Sequence, residues 1–294
     1  MITLSVVIPD YKDPLLHRTI DSLLDQSGLG DQLEVIAVLD GCETTQPFRD
    51  DPRIRAIKLG KNRGMRGAIN AGVAIARGEF VMRLDEHCIF GENYDLIMTS
   101  QCKPNQMMTA TRYFWNPVES KVMDIEPVYH EKLVIQNVSE GVQKFAGVRW
   151  RDRDEKLKDT PITETMAMQG SMWITPRKWF NEVFGELQTE GYGPLIQDSV
   201  EATMKTWKAG GQLVLNKNTW FAHKHRSFPR THNNGTTENP AKCNEGYTYA
   251  LTQWKDYYLK EICPKWEIGG KDGNANVGID QVQHTPSSSD GSYE

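Results

Sequence analysis

The chain has 294 residues, of which 38% are hydrophobic, and its 34 basic and 39 acidic side chains give a formal net charge of −5. This composition is that of a globular protein and excludes collagen-like and disordered chains. The apolar runs, such as 35–39, are far shorter than the ~18 residues of a membrane-spanning helix, so we expect no integral membrane segment. The opening residues lack the layout of an export signal, and the five scattered cysteines contain no C-x-x-C pair. These features predict a cytoplasmic protein.

The first hundred residues alternate strand and helix patterns. Apolar and β-branched runs predict strands at 4–8, 33–39, 54–59 and 79–84, and helical periodicity predicts helices at 17–24 and 70–76. Strands separated by helices imply right-handed crossovers, and therefore an α/β fold with a mostly parallel sheet. Such sheets bind ligands at the carboxyl ends of their strands. Polar residues stand at those ends: Asp10, Asp40, Asp85, Glu86 and His87.

The remainder of the chain is less regular. Its patterns predict a β-rich stretch at 107–115, a charged segment at 149–156, a turn leading into a strand over 163–174, helices at 177–184 and 197–209, and a final strand at 212–215. Aromatic and aliphatic residues at helical spacing in 254–266 predict a helix that packs back on the preceding domain. Residues 269–294 are mostly small and polar, which predicts a disordered tail.

Two histidine-containing segments are candidates for a metal site. Asp85 and His87 follow directly on a buried strand, and His223 and His225 follow the last predicted strand. A carboxylate together with imidazoles suits Mn²⁺, Mg²⁺ or Zn²⁺. Each segment has an ordinary alternative, a turn with a hydrogen-bonded histidine in the first case and a solvated basic loop in the second.

Two further segments are candidates for nucleotide binding. Asp40 can accept the N–H of a base edge, although Asp-Gly is also a common turn. The segment 61–67 carries three cations and two glycines just before a predicted helix, an arrangement that suits a diphosphate, with a plain surface loop as the alternative. The chain has no P-loop and no G-x-G-x-x-G after the first strand, which removes the main support for an ATPase or a dinucleotide oxidoreductase.

The ordered set of motifs resembles the family 2 glycosyltransferases of the GT-A fold. The motifs are Val6-Val-Ile-Pro9, Asp40-Gly41, Asn62-x-Gly64, Ala68-x-Asn70-x-Gly72, Gly78-Glu-Phe-Val-x-x-Leu-Asp85, Gly170-Ser171, and an acidic helix that ends in Trp207-Lys-Ala-Gly-Gly211. Asp-x-His instead of Asp-x-Asp, Phe145-x-x-x-x-Trp150 and a histidine before Arg226 are similar to the polypeptide N-acetylgalactosaminyltransferase branch. The resemblance implies a catalytic domain at 1–228, with a nucleotide-sugar half at 1–105, an acceptor half at 106–228, and a helical extension at 229–268.

The resemblance also implies roles for individual residues. Asp85, His87 and His223 would hold Mn²⁺ or Mg²⁺ against the diphosphate of a nucleotide-sugar donor, with His225 as the alternative third ligand. Asp40 would bind the uracil or other base, and Arg63 or Arg66 would stabilise the charge on the leaving diphosphate. Gly170 and Ser171 would bring the backbone close to the sugar. The remaining donor-site residues implied are Pro9, Asp10, Asn62, Asn70 and Glu86.

Inverting members of the family carry a Glu-Asp pair whose second carboxylate is the general base, and this chain departs from that pattern. This chain has Gln197-Asp198-Ser199, which leaves Asp198 either as that base or as a contact to the donor sugar, and Glu201 one turn away is a further candidate. Whether the reaction retains or inverts the anomeric configuration therefore stays open.

The acceptor is not indicated by any single motif. Basic segments at 149–158 and 224–230, interleaved with aromatic residues, suit an anionic acceptor or are simply solvated charge. Glycans, lipid-linked phosphates and a hydroxymethylated base in viral DNA are the candidates. Two other functions compete, a sugar nucleotidyltransferase, which would need a glycine-rich basic loop after the first strand, and a non-catalytic protein that binds glycans or nucleic acids.

Overall fold

The computed structural model describes residues 1–44, 46–193, 196–225 and 240–268. One compact unit spans Met1–Trp254, and the described residues from Lys255 to Ile268 belong to a second. The predicted tail at 269–294 and the boundary predicted at 228 lie outside the described residues. In the described ranges, no helix is both long enough and apolar enough to cross a lipid bilayer.

Ten of the described strands form one sheet. Its members are β1 (Leu4–Asp10), β2 (Leu33–Leu39), β3 (Ile54–Lys58), β4 (Phe80–Leu84), β5 (Cys88–Phe90), β6 (Gln106–Asn116), β7 (Lys121–Val122), β10 (Ile162–Glu164), β11 (Met172–Pro176) and β12 (Gln212–His223). The order is β10-β12-β6-β11-β4-β1-β2-β3, with β5 beside β12 and β7 beside β6. β4, β1, β2 and β3 pair in parallel, as do β6 and β12, whereas β11 runs antiparallel to both of its neighbours. β8 (Glu131–Ser139) and β9 (Val142–Arg149) form a separate antiparallel pair.

The described residues form eight α-helices. Their bounds are α1 (Leu16–Asp25), α2 (Gly64–Ala74), α3 (Tyr94–Gln101), α4 (Arg151–Lys156), α5 (Arg177–Val183), α6 (Asp198–Lys208), α7 (Pro240–Tyr257) and α8 (Cys263–Lys265), with a 3-10 turn at Gly30–Gln32 and a π-helical turn at Tyr258–Ile262. The apolar face of α1 joins the core cluster that contains Val6 and Ile8. Val7 points to the opposite face, as strand alternation requires, and there α2 packs so closely that a Cβ on Gly72 would lie 2.3 Å from Val7 Cγ1.

The predicted α/β architecture is confirmed, but two element boundaries were wrong in ways that affect the site. α2 begins at Gly64 and not at Asn70, because Asn62 Oδ1 accepts the Gly64 N–H at 2.9 Å and Gly64 adopts a φ of +77° that starts the helix. The last strand runs to His223 instead of ending at Leu215, with an irregularity between Asn216 and Trp220. The stretch at 163–174 also holds parts of two strands, β10 and β11, where one was predicted.

Candidate functional site

The carboxyl ends of the central parallel strands meet at one edge of the sheet. β1 ends at Asp10, whose backbone oxygen accepts the Asp40 N–H at 2.8 Å just after β2. Asp85 follows β4, and its N–H donates to Ser171 O at 2.9 Å. The polar residues that the sequence places after β1, β2 and β4 therefore stand along the same edge, where sheets of this type bind ligands.

Asp85, His87 and His223 converge at this edge. His223 Nε2 lies 3.1 Å from Asp85 Oδ2, and His87 Nε2 lies 4.0 Å from the same oxygen. The strand pairing explains the convergence, because His223 is the last residue of β12 and lies opposite Cys88 of β5 in the antiparallel register. Lys224 N then donates to His87 O at 3.0 Å, which fixes the two histidine segments side by side.

Burial and charge prepare these groups for a cation. Burial alone raises the pKa of Asp85, but Arg83 and the hydrogen bond from His223 outweigh it and hold that pKa well below its ordinary value. Burial lowers the pKa of His223 to about 4, despite the opposing effect of Asp85. At neutral pH the site therefore presents an ionised carboxylate beside a neutral imidazole, and these are the forms that bind metals.

The residues fit a divalent cation. One ligand atom each from Asp85, His87 and His223 lies within 4.8 Å of the others, and His223 Nδ1 is buried without a hydrogen-bond partner among the described residues. One carboxylate with two imidazoles suits Mn²⁺ or Zn²⁺ better than it suits Ca²⁺, which prefers oxygen ligands only. His225 is not part of this group; its ring centroid lies 4.9 Å from that of His223 and 5.0 Å from that of Phe114.

Arg83 is buried between Asp85 and Asp198, and the sequence analysis did not identify it as a site residue. Its side chain is 2% exposed, and Nη1 lies 2.8 Å from Asp85 Oδ1 while Nη2 lies 3.7 Å from Asp198 Oδ2. The signal was present, because a charge inside the buried strand Phe80-Val-Met-Arg-Leu84 needs a charged partner nearby. The guanidinium thus joins a residue of the metal group to the helix α6.

A second acidic group lies behind His87. Asp13, which sequence reasoning also missed, places Oδ2 at 3.1 Å from His87 Nδ1, and Glu86 Oε2 is 3.9 Å from the same nitrogen. Asp10 is buried beside them, and burial together with the charge of Glu86 raises its pKa to about 7. Pro9 lies within β1, paired in register with Val38.

Asp40, the predicted base-binding residue, follows β2, and its side chain lies against the start of α2. It is 3% exposed, and its Oδ1 accepts the Arg63 N–H at 2.6 Å. Burial raises its pKa, although the backbone hydrogen bonds from Arg63 and Gly64 oppose the shift. Asn62 forms the turn that begins α2, so it shapes the loop beside Asp40.

The start of α6 closes the other side of the site. A Cβ added to Gly170 would lie 3.8 Å from Asp198 Oδ1, so the backbone at Gly170 and Ser171 runs directly beside the first residue of α6. Asp198 is 7% exposed, and the Ser171 hydroxyl is buried with no hydrogen-bond partner in the described residues. Gly170, Ser171 and Asp198, the residues for which the resemblance implied contact with the donor sugar, therefore lie together.

Three other predicted site residues serve to hold the fold together. Arg66 and Glu201 form an ion pair with both side chains 0% exposed, and Arg66 also donates to Ile196 O. Arg66 turns inward because α2 already includes it, whereas the sequence placed it in a loop. Asn70 exchanges two 2.8 Å hydrogen bonds with the backbone of Leu187. We therefore leave these three residues out of the proposed reactive set.

Several cations of the first basic segment, 149–158, have partners within the protein. Arg149 and Arg151 both pair with Glu126, Arg153 donates to Glu164 O, and Lys158 pairs with Glu155. It therefore offers weak support for an anionic acceptor. The second segment, 224–230, lies outside the described residues beyond His225.

Comparisons with known proteins agree with this geometry. The model of the family "Glycosyl transferase family 2" matches residues 5–184. The succinoglycan biosynthesis protein ExoO of Rhizobium meliloti (strain 1021) is 42% identical over 72 residues, which are 23% of this chain and 20% of that protein. The Drosophila melanogaster protein named "Putative polypeptide N-acetylgalactosaminyltransferase 13" is 21% identical over 231 residues, 72% of this chain and 39% of that protein. The chain thus spans well under half the length of both relatives.

Among solved structures, the crystal structure of GalNAc-T7 with UDP, GalNAc and Mn²⁺ superposes with a TM-score of 0.65 at 17% sequence identity. The match covers 90% of this chain and 50% of that one. This likeness establishes the GT-A fold, and the family model covers more than half of the sequence. The chain belongs to glycosyl transferase family 2.

Proposed function

We propose that the chain is a metal-dependent glycosyltransferase that moves a sugar from a UDP-sugar to an acceptor hydroxyl. The observation that carries this proposal is the convergence of Asp85, His87 and His223 at the ligand-binding edge of the sheet. The UDP and Mn²⁺ in the GalNAc-T7 crystal structure support the choice of nucleotide and ion.

Each part of the site has a task in this proposal. Breaking the bond between sugar and phosphate leaves negative charge on the diphosphate, and a bound Mn²⁺ or Mg²⁺ supplies countercharge. Asp40 accepts the N–H of the base, and Arg63 reaches toward the diphosphate. Gly170 leaves room for the sugar beside the backbone, and Asp198 contacts the sugar from the first turn of α6.

The acceptor in this proposal is a molecule with a free hydroxyl, with glycans as the first class to test. Arg149, Arg151 and Lys158 of segment 149–158 already pair with carboxylates, which weakens the case for a polyanionic acceptor. Lipid-linked glycans and hydroxymethylated bases in DNA are further acceptors for the same assay.

Calorimetry with UDP, with and without Mn²⁺, tests the proposal. We expect Mn²⁺ to tighten UDP binding, and the purified protein to hydrolyse a UDP-sugar slowly without an acceptor. Asp85→Asn should weaken Mn²⁺ binding by more than about 100-fold, because the loss of a direct ligand should cost more affinity than the 10- to 100-fold that is typical when a hydrogen-bond partner of a ligand is changed. Asp159→Asn, an exposed carboxylate, is the matched control and should bind normally. UDP binding that is indifferent to both Mn²⁺ and Asp85→Asn would reject the proposal.

A further inference from the structure

His87 lies between two groups of acidic and histidine side chains. One group consists of Asp85 and His223, toward which Nε2 points, at 4.0 Å from Asp85 Oδ2. The other consists of Asp13 and Glu86, which face Nδ1 at 3.1 Å and 3.9 Å. Either group, taken with His87, has the residue types of a cation site.

The chemistry of imidazole allows only one of the two groups to use His87 as a ligand. A neutral imidazole has one N–H and one lone pair, and an ionised carboxylate only accepts hydrogen bonds. The 3.1 Å contact between His87 Nδ1 and Asp13 Oδ2 therefore requires the proton on Nδ1. The lone pair is then on Nε2 and faces Asp85 and His223.

The carboxylate of Asp13 is well placed to impose this arrangement. Its Oδ1 accepts the Leu15 N–H at 2.8 Å, and its own N–H donates to Asp10 Oδ1 at 3.2 Å, so the turn before α1 fixes the side chain. The side chains of Asp13 and His87 are each only 5% exposed, which strengthens the contact between them by keeping water away.

We propose that Asp13 is a positioning residue that holds His87 in the Nδ1–H tautomer and aims Nε2 at the metal group. The group formed by Asp13, Glu86 and His87 is accordingly a support for the ligand His87 and not a second cation site. The effect on metal affinity rests on the proposed function, whereas the tautomer does not.

The test measures both properties on the full chain. Long-range ¹H–¹⁵N NMR of the ¹⁵N-histidine protein at pH 8, without metal, reports the tautomer of His87, with His87→Gln assigning its signals. Calorimetry with Mn²⁺ alone reports affinity. Asp13→Ser keeps an oxygen for the Leu15 N–H but is too short to reach His87. Asp21→Ser, at a half-exposed position of α1, is the matched control.

We expect the Nδ1–H form in the unmodified protein, loss of its dominance in Asp13→Ser, and a 10- to 100-fold weaker affinity for Mn²⁺ in that variant. Asp13→Asn, whose amide oxygen still accepts the Nδ1–H, should recover most of the affinity. An Nε2–H tautomer in the unmodified protein would overturn the inference whether or not the variants fold. Unchanged Mn²⁺ affinity and tautomer in Asp13→Ser would also overturn it while leaving the proposed function intact. Absence of Mn²⁺ binding in the unmodified protein, with the tautomer as expected, would instead reject the function alone.

Discussion

Arg66 and Glu201 lie 135 residues apart in the chain and form a fully buried ion pair. The guanidinium of Arg66 also lies over the ring of Tyr192, with its Cζ 4.2 Å from the ring centroid. Lys205 adds a second cation to Glu201 at 2.6 Å. The pair therefore joins α2 to α6, and because Glu201 pairs with two cations we leave it out of the proposed reactive set.

Removing one member of this pair should destabilise the protein strongly. Glu201→Ala leaves the Arg66 charge buried and uncompensated, which costs about 3–5 kcal/mol of unfolding free energy. The double variant Arg66→Met with Glu201→Leu should recover most of this loss, as measured by urea unfolding. It should also keep UDP-sugar hydrolysis. A stable double variant without hydrolysis would instead restore Glu201 as a catalytic candidate.

Arg83 should control the pH at which the site can bind a metal. Arg83 is the leading charge that holds the pKa of Asp85 low against its burial. In Arg83→Met that pKa rises, so protons compete with Mn²⁺ at higher pH. We expect the affinity for Mn²⁺, measured by calorimetry from pH 5 to pH 8, to fall at a higher pH in Arg83→Met than in the unmodified protein. Arg83→Lys retains the charge and should behave more like the unmodified protein. If the affinity for Mn²⁺ depends on pH in the same way in both variants and in the unmodified protein, Arg83 does not control the pKa of Asp85.

Glu34 should contribute to acid stability. It is 1% exposed and accepts hydrogen bonds from Ser5, Arg55 and Arg77. Burial raises its pKa, but these bonds outweigh burial and lower it below 4.5. Because the folded-state pKa is depressed, the stabilisation is complete above pH 4.5 and disappears as the pH falls through the folded-state value.

The free energy of unfolding of Glu34→Gln should therefore be about 2 kcal/mol lower than that of the unmodified protein at pH 7. The difference should shrink below pH 4.5. The measurement is the urea midpoint as a function of pH. A difference that stays constant down to pH 3 would show that the charge of Glu34 is not the cause.

Gly41 should be essential to the loop that carries Asp40. Its φ is +73°, and an added Cβ would lie 2.3 Å from Asn62 N. Gly41→Ala should therefore cost about 1–3 kcal/mol of unfolding free energy and weaken UDP binding, because the Asp40 loop must move. Gly60→Ala is the control, since nothing lies within 4 Å of its Cβ position. Equal UDP affinity in the two variants would separate this loop from nucleotide binding.

Sequence patterns predicted the sheet and the edge that carries the site. Strand periodicity and chain direction are local properties, and they were enough to place Asp10, Asp40 and Asp85 at neighbouring strand ends. His223 and His225 were metal candidates because they follow a predicted strand. The choice of His223 came from the resemblance to a family, because its contact with Asp85 depends on a pairing between β12 and β5 that no local pattern indicates.

The sequence did not reveal which charged side chains turn inward. Arg63 and Arg66 lie in the same basic segment of the chain, but α2 begins at Gly64, and Arg66 within the helix is buried whereas Arg63 is exposed. Asp13 was hidden for a related reason: an Asp-Pro pair is typical of a turn, and its contact with His87 spans 74 residues. Such partnerships depend on tertiary packing.

Anomalous diffraction at the manganese edge, from crystals grown with UDP and Mn²⁺, would show directly whether Asp85, His87 and His223 bind the ion. We expect one strong peak within coordination distance of all three residues, with the UDP diphosphate on its open side. Bound UDP with no manganese at these residues, or manganese coordinated without either histidine, would contradict it.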